Sequence, residues 1–534
     1  MPSKKLSLSF PTNLEAWKSL NKHYRSELKD STLTELFKKD PKRAQKFSLE
    51  SGDLFLDYSK NHINSRTFKI LSQLIKQTNV PDAIESMFSG ENINITENRP
   101  VLHVGLRSKI SDQVALEKEG VKDIWPTLEK MEKFVSELHE GSIRGVTNKR
   151  IKNIVNIGIG GSELGSTMAV NALRGFWQCD YSYFSVSSGD CLEIIDLLDE
   201  IDIEETIFIV CSKSFSTIET KHNADIAKKA IEDKFGIRAI KKHFAGVSSD
   251  HELMTDFGIQ KDFQFFISDW VGGRFSITSA VGLPLACMIG MHNFYKFLEG
   301  ARIMDLHFRQ KEFEKNMPMI LAALSILYSN FFDSQSQAII NYHSRLKYFS
   351  DYARQLHMES LGKSHRSDDA ASKIRTGGAI WGGLGSDGQH SYFQFLHQGK
   401  YCTPIDFILP VEVLESDFNA YNTANCLAQS ESLMDGRASE DNYRSFEGNN
   451  PSNTILIKNL TPQSLGQLVA LYEHKVFAQS IILGINAFDQ FGVELGKANA
   501  KLLTNTLLTS SNSSSKNRST KNLLSEIKKI NKEK

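Results

Sequence analysis

The chain has 534 residues, and this length is too great for a single hydrophobic core. Of these residues, 40% are hydrophobic and 24% are charged. Lysine plus arginine and aspartate plus glutamate number 63 each, so no net charge draws the chain to nucleic acid or to an anionic membrane. No apolar run approaches the ~20 residues that span a bilayer. The first residues also lack the pattern of a secretory signal. We therefore expect a cytoplasmic protein whose anionic ligands are held at a local site.

Apolar strands that alternate with helices appear after residue 100, whereas residues 1–100 predict short helices and no strand stands out. The first series of predicted strands covers 154–157, 181–186, 206–211, 243–247 and 263–267. A second series covers 338–340, 379–381, 405–409 and 454–457. Nearly continuous apolar strands of this kind are typical of parallel sheets that are covered by helices on both faces. The pattern predicts an α/β protein with two doubly wound, three-layer domains in tandem.

The predicted organisation has four parts: a helical extension (1–105), a first domain (106–290), a second domain (291–505), and a linker with a terminal helix (506–534). Within the last part, the Ser- and Asn-rich stretch 510–520 predicts the linker. Six cysteines, at 179, 191, 211, 287, 402 and 426, have no metal-ligand spacing and indicate reduced structural thiols.

A glycine-rich turn, Gly158-Ile-Gly160-Gly161-Ser162, follows the first predicted strand. Such a turn brings backbone N–H groups close to an anion at a helix N-terminus. A dinucleotide site would need glycine or alanine at position 163, where this chain has Glu163. The carboxylate of Glu163 would face the pyrophosphate, which disfavours a dinucleotide. A purely structural tight turn also stays open.

Hydroxyls crowd the end of the third predicted strand, in Ser212-Lys213-Ser214-Phe215-Ser216-Thr217. Hydroxyls and free N–H groups at a helix start suit a phosphate dianion, although redundant helix caps are the plainer interpretation. The position favours a ligand, because open parallel sheets bind ligands at the carboxyl ends of their strands.

Four further segments carry groups that can do chemistry. In Gly272-Gly273-Arg274, the glycines allow close approach and the arginine supplies a fixed charge, with a surface ion pair as the alternative. Gln355 and Glu359 share one helix face, and a second glycine-rich loop ends in His390. The fourth segment is Phe488–Lys497, which contains Gln490.

Taken together, these segments resemble the phosphoglucose isomerase family over roughly residues 90 to 500. Two long family signatures are present, DWVGGRFSITSAVG from Asp269 and FDQFGVELGK from Phe488. Shorter matches include TENR from Thr96, VNIGIGGS from Val155, SKSFST from Ser212, MES before Leu361 and GQH from Gly388.

The resemblance implies two sugar-isomerase domains that interconvert glucose 6-phosphate and fructose 6-phosphate through a cis-enediolate, in glycolysis and gluconeogenesis. It implies Glu359 as the base, Arg274 as the group that stabilises the enediolate, and His390 with Lys497 as the ring-opening pair. Substrate would be bound by Gly161, Ser162, Ser212, Lys213 (mainly through its backbone), Ser214, Thr217, Gly273, Gln355 and Gln490. It implies neither metal nor cofactor. It also implies a homodimer in which His390 reaches the neighbouring subunit's site.

The chain departs from the family pattern at Glu163, Ser166, Leu361, Asp387 and Asn450, among others. Asp387 adds a negative charge near the expected ligand, which would weaken substrate affinity or shift the pH dependence. None of the residues implied to do chemistry is replaced. Two alternatives remain: a regulatory sugar-phosphate-binding protein without catalysis, and an isomerase that also accepts mannose 6-phosphate.

Overall fold

The computed structural model describes residues 10–109, 112, 121, 123–178, 180–411, 417–509 and 517–533. The sequence predictions for the first nine residues, for Cys179 and for most of the linker at 510–520 lie outside the described residues. The chain divides into two compact units, one that ends at Ala487 and one that begins at Phe488. The domain boundaries given above stay predictions.

The N-terminal part of the first unit is mostly helical. Its helices and two short strands are α1 (Glu15–His23), α2 (Leu33–Lys39), α3 (Arg43–Lys46), β1 (Ser48–Ser51), β2 (Leu54–Asp57), α4 (Ser65–Gln77) and α5 (Val80–Phe88). The two strands pair antiparallel around Gly52, whose φ of 58° a glycine adopts easily.

The first sheet contains every strand predicted for the first domain. Its strands are β3 (Asn153–Ile157), β4 (Ser182–Val186), β5 (Thr206–Cys211), β6 (Phe244–Ser248) and β7 (Gln264–Phe266). All neighbours are parallel, in the order β4-β3-β5-β6-β7. β5 is central and each of its six residues is buried, which explains its uninterrupted apolar sequence.

Helices separate these strands, as the alternating pattern predicts, and one further helix lies on each side of the strand series in the sequence. They are α6 (Ile124–Glu140), α7 (Leu164–Ala172), α8 (Leu192–Glu200), α9 (Ile218–Phe235), α10 (Ile240–His243), α11 (His251–Phe257) and α12 (Leu283–Ile289). The chain runs from β3 to β4 on one side and then returns to β5 on the other, so a topological switch point lies between β3 and β5.

The second sheet has the order β1-β2-β11-β10-β8-β9. Its parallel strands are β8 (Ser336–Asn341), β9 (Ala379–Leu384), β10 (Ile405–Pro410) and β11 (Ser452–Ile457). β2 adds to it antiparallel, with Leu56 opposite Ile455. The expectation of no strand before residue 100 is therefore wrong: the four-residue strands β1 and β2 carry little sequence signal and complete a sheet whose other strands lie far along the chain.

The helices that accompany the second sheet are α13 (Met291–Gln310), α14 (Met317–Asn330), α15 (Phe349–Leu361), α16 (Gly385–Gln389), α17 (Phe393–Gln398), α18 (Asp417–Asp435) and α19 (Pro462–Leu483). α19 has a well-defined start, because the Thr461 side chain accepts the backbone N–H of Ser464 and Pro462 is the first helical residue.

The second compact unit contains α20 (Glu494–Leu508) and α21 (Arg518–Glu533). The predicted terminal helix is present and begins at Arg518, inside the stretch predicted as linker. Within the described residues, no helix is both long and apolar enough to cross a membrane.

Candidate active site

The ends of β3 and β5 lie side by side at the switch point of the first sheet, where doubly wound proteins bind ligands. A short 3₁₀ turn, Gly160–Ser162, follows β3, and the hydroxyl-rich segment 212–217 follows β5. The fold therefore brings the two predicted loops together at one sheet edge.

Gly161 packs directly on the segment that carries Arg274. A Cβ atom at Gly161 would overlap the carbonyl group of Gly273 and lie 2.7 Å from the backbone nitrogen of Arg274. Ser276 Oγ donates to both backbones, at 3.3 Å to the Gly161 oxygen and 2.5 Å to the Gly273 oxygen. Glycine at 161 is thus required by a backbone-to-backbone contact between two site loops.

The guanidinium of Arg274 is buried and held in place by hydrogen bonds. Its Nε donates to Ser360 Oγ at 2.6 Å, and its Nη2 donates to the carbonyl oxygen of Ala487. Its Nη1 lies 3.3 Å from Glu359 Oε2. Because only 3% of Arg274 is exposed, its charge acts with little screening by solvent.

α15 presents Glu359 to this arginine. Gln355, one helical turn earlier, donates its Nε2–H to Glu359 Oε2 at 3.1 Å, as the shared face of positions four apart predicts. The side chain of Glu359 keeps 24% exposure. A carboxylate that is oriented by an amide and a guanidinium, and still reachable, can move a proton on a bound substrate.

The segment 212–217 has hydroxyls that face one another. Ser212 Oγ donates to Thr217 Oγ1 at 3.2 Å, and Ser216 Oγ donates to Ser214 Oγ at 2.8 Å. Thr217 is the N-cap residue of the 18-residue helix α9, and its side chain does not cap the first turn. The N-terminal amides of α9 and these hydroxyls therefore offer donors to an anion.

The side chain of Lys213 binds backbone carbonyls of the segment that follows β7. Its Nζ donates to the carbonyl oxygens of Asp269 at 2.6 Å and of Val271 at 3.1 Å. Burial lowers the pKa of Lys213, and the nearby Arg99 lowers it further. The ammonium group thus links the segment after β5 to the segment that leads to Arg274.

His390 lies at the end of α16, which follows β9 in the second sheet. The neighbouring Gln389 anchors this loop by donating to Tyr342 Oη at 3.1 Å. The imidazole is exposed, and no side chain of the described residues forms a hydrogen bond with it. The structure brings Arg274, Glu359 and Gln355 together and leaves His390 outside this group of contacts.

Gln490 and Lys497 belong to the second compact unit. Gln490 precedes a 3₁₀ turn, Phe491–Val493, and Lys497 lies in the first turn of α20. Both side chains are exposed in this unit.

Three departures from the family pattern, at Glu163, Ser166 and Leu361, are buried in the structure. Glu163 accepts a hydrogen bond from Ser185 Oγ at 3.1 Å, and burial raises the pKa of its carboxyl. Leu361 is fully buried and packs where a Cβ at Gly377 would lie, whereas Asp387 is exposed. Glu163 is thus turned toward a neighbouring hydroxyl of β4.

Sequence reasoning assigned no role to three groups that hold the site: Ser360, the Ala487 carbonyl and Arg99. Ser360 and Arg99 stand within the quoted MES and TENR segments, which was the available signal, whereas a backbone carbonyl leaves none. Among the described residues, no group of three or more His, Cys, Asp or Glu side chains is arranged to hold a metal ion.

Comparison with known proteins gives one consistent result. The phosphoglucose isomerase family matches residues 57–524. The chain is 42% identical to the glucose-6-phosphate isomerase of Pseudomonas fluorescens, over 96% of this chain and 97% of the relative. It is 40% identical to that of Marinomonas sp. strain MWYL1, over 98% and 100%. The crystal structure of a glucose-6-phosphate isomerase from Chlamydia trachomatis D/UW-3/Cx superposes with a TM-score of 0.88 at 30% identity, covering 98% of this chain and 100% of that one.

Proposed function

This chain belongs to the phosphoglucose isomerase family, and from that premise we propose that it interconverts glucose 6-phosphate and fructose 6-phosphate. The observation that carries the proposal is the contact between Arg274 Nη1 and Glu359 Oε2 at 3.3 Å, beside the glycine turn at Gly161. An isomerase that shifts a carbonyl between C1 and C2 needs a base at the reacting carbons and a group that stabilises the negative charge on the enediolate oxygen. The pathways that use this reaction are glycolysis and gluconeogenesis, and we propose a cytoplasmic location.

Glu359 is the proposed base. In the open-chain aldose, its carboxylate removes the proton from C2 while the C1 carbonyl oxygen gains electron density, which gives a cis-enediolate. Transfer of a proton from the Glu359 carboxyl to C1, with transfer of the hydroxyl proton from O2 to O1, gives the ketose. The atoms balance without an oxidant or reductant, and a carboxylate serves as the general base.

Arg274 is the proposed electrostatic partner of that intermediate. Its guanidinium is already fixed by Ser360 and Ala487, so little reorganisation is needed when negative charge develops on the enediolate oxygen. Removal of one such preorganised donor typically lowers the rate by about 10²–10³.

Binding of the substrate falls to two groups of residues. The phosphate would be bound by Ser212, Ser214 and Thr217 and by the backbone at Lys213, and the sugar would be aligned by Gly161, Ser162, Gly273, Gln355 and Gln490. The paired hydroxyls of 212–217 at the start of α9 support the first assignment. Binding energy from the distant phosphate can then orient the reacting carbons.

His390 and Lys497 would transfer the proton to the ring oxygen during ring opening, with His390 supplied across a homodimer. The exposed imidazole, without a side-chain hydrogen-bond partner in the described chain, supports a role outside its own subunit. Exposed aromatic side chains on the elements around it also suit a subunit interface, where such side chains are enriched: Phe395, Tyr401, Phe418, Tyr421 and Tyr443. The domain boundaries at 105, 290 and 505 belong to the same proposal.

A coupled assay tests the function directly. Purified, chelator-treated protein should convert fructose 6-phosphate to glucose 6-phosphate, detected as NADP reduction by glucose-6-phosphate dehydrogenase. A regulatory sugar-phosphate-binding protein would bind fructose 6-phosphate and give no product. The same assay with mannose 6-phosphate in place of fructose 6-phosphate tests whether the protein also accepts mannose 6-phosphate as a substrate.

A further inference from the structure

Lys213 spans the carboxyl edge of the first sheet. Its own carbonyl oxygen accepts three hydrogen bonds from the end of β6: from Ser249 N at 2.9 Å, Ser248 Oγ at 2.9 Å and Ser249 Oγ at 2.8 Å. Its side chain then reaches the segment after β7, where Nζ donates to the oxygens of Asp269 and Val271. One residue therefore connects the ends of three neighbouring strands.

The side chain of Arg99 also binds the backbone carbonyl of Asp269. Arg99 Nη1 donates to the oxygen of Asp269 at 3.3 Å, while its Nη2 donates to Glu97 Oε1 at 2.9 Å. The Asp269 carboxylate, 4.0 Å from Lys213 Nζ, offsets part of the positive charge. Two side chains from distant parts of the sequence thus hold one short backbone segment.

A second set of hydrogen bonds connects the turn that carries Arg99 to Arg274 through Asn486 and Ala487. Asn486 Nδ2 donates to Asn94 Oδ1 at 2.9 Å and to Thr96 Oγ1 at 2.7 Å, which fixes the turn that ends at Arg99. The next residue, Ala487, supplies the carbonyl oxygen that binds Arg274 Nη2. The turn at 94–99, the segment 269–271 and Arg274 therefore form a closed network.

We infer that Lys213 and Arg99 are positioning residues, whose side chains hold the Asp269 and Val271 carbonyls and thereby fix the segment that presents Gly273 and Arg274 to substrate. The inference rests on the proposed function and goes beyond it. Two of the three N–H groups of Lys213 are already committed to carbonyls, which leaves one for any ligand. The Lys213 side chain therefore acts mainly on catalysis, and the hydroxyls of 212–217 act mainly on phosphate affinity.

The test compares Lys213→Met and Arg99→Met with the double variant Ser214→Ala/Thr217→Ala. Small misplacement of a catalytic group can lower a rate by up to about 10²-fold, so each methionine variant should lower kcat by about 10-fold or more. The inhibition constant of inorganic phosphate should change much less in these two variants than in the double variant. Lys221→Met, on the exposed face of α9, is the matched control and should behave as wild type.

A measurement independent of catalysis separates this inference from the proposed function. Hydrogen–deuterium exchange of the backbone amides in 268–276 should accelerate in Lys213→Met and in Arg99→Met, and stay unchanged in Ser214→Ala/Thr217→Ala. This arm decides the inference even if the wild-type protein fails to isomerise fructose 6-phosphate. Unchanged exchange in both methionine variants, or a Lys213→Met enzyme that loses phosphate affinity while keeping its kcat, would overturn it.

Discussion

Arg274 Nη1 lies 3.3 Å from Glu359 Oε2, although the two residues follow strands of different sheets. Arg274 comes from the segment after β7, and Glu359 comes from α15, which follows β8. Ser360 Oγ, next to the glutamate, also accepts from Arg274 Nε at 2.6 Å. The two sheets thus meet through the pair of groups that the proposed chemistry requires.

The fork geometry of Arg274 gives the first prediction. Arg274→Lys keeps a positive charge, but the lysine cannot contact Ser360, Ala487 and Glu359 at the same time, as the guanidinium does. The ammonium group is a point charge on a flexible chain. We expect kcat to fall by about 10²-fold or more with a smaller change in KM, because the charge is needed most in the transition state. Steady-state kinetics with fructose 6-phosphate provides the measurement.

Arg354→Lys is the matched control for this variant. Arg354 lies on the same helix α15, and its half-exposed side chain pairs with Asp351 at 2.9 Å. It should retain wild-type kinetics. A comparable kcat for Arg274→Lys and Arg354→Lys would contradict the proposed role of Arg274.

The close approach at Gly161 gives the second prediction. In Gly161→Ala, the new Cβ would overlap the Gly273 carbonyl, so the two loops must separate. We expect a folded protein with unchanged far-UV circular dichroism and a large loss of kcat/KM. In Gly272→Ala the nearest atom to the new Cβ is Phe275 Cδ2 at 3.4 Å, an ordinary contact, so this control should lose far less activity. Equal losses of kcat/KM in the two variants would contradict a role for the close contact between Gly161 and the Gly273 carbonyl.

Burial of His62 gives a prediction about acid stability. Burial lowers the pKa of His62 to about 4, while its hydrogen bond to Asn449 Oδ1 at 3.0 Å opposes that shift. The folded-state pKa lies below the ordinary value of 6.5, so the stability it contributes is full above pH 6.5 and is lost as pH falls toward 4. Each pH unit in this window is worth about 1.4 kcal/mol for one such group.

His62→Gln should remove this part of the pH dependence. Between about pH 6.5 and pH 5, the wild-type free energy of unfolding should fall by about 2 kcal/mol more than that of the variant. Urea unfolding at the two pH values measures the difference. His222→Gln, which alters an exposed histidine of α9, should keep the wild-type slope, and a His62→Gln slope equal to it would refute the assignment.

The strands could be predicted from the sequence wherever they are buried on both faces. β5 is buried along its whole length, so its apolar run is recognisable. The strand order, which sets the switch point between β3 and β5, was not predicted. The hairpin β1–β2 could not be predicted, because β2 pairs with β11, where Leu54 lies opposite Ile457. These two residues are some 400 positions apart in the sequence. Local pattern carries no information about such a partner.

The site residues were predicted by motif, whereas their contacts were not. Helical spacing predicts that Gln355 and Glu359 share one face of α15, whereas their roles come from the motif. The direction of the Lys213 side chain, toward the Asp269 and Val271 carbonyls, depends on where β7 ends relative to β5. Sequence spacing does not specify that distance.

The shared site of the proposed homodimer can be tested by complementation. Glu359→Gln and His390→Ala, each inactive alone, are unfolded and refolded together. A mixed two-fold dimer has one site that receives both changes and one that receives neither, and random pairing makes half the dimers mixed. Recovery should therefore approach about a quarter of wild-type activity.

Each variant refolded alone is the control and must remain inactive. Mixed dimers confirmed by mass, with no recovered activity, would place both residues in one subunit's site. That result would remove the shared site and leave the isomerase proposal intact.

The exchange of substrate hydrogen with solvent tests the role of Glu359 most directly. In deuterium oxide, the wild-type protein should incorporate deuterium at C2 of glucose 6-phosphate, because the abstracted proton exchanges before it is returned. Glu359→Gln keeps the size and the hydrogen-bonding capacity of the side chain but cannot accept the proton, so incorporation should fall by several orders of magnitude while inorganic phosphate still binds. Incorporation at the wild-type rate in Glu359→Gln would contradict the account, since another residue would then be the base.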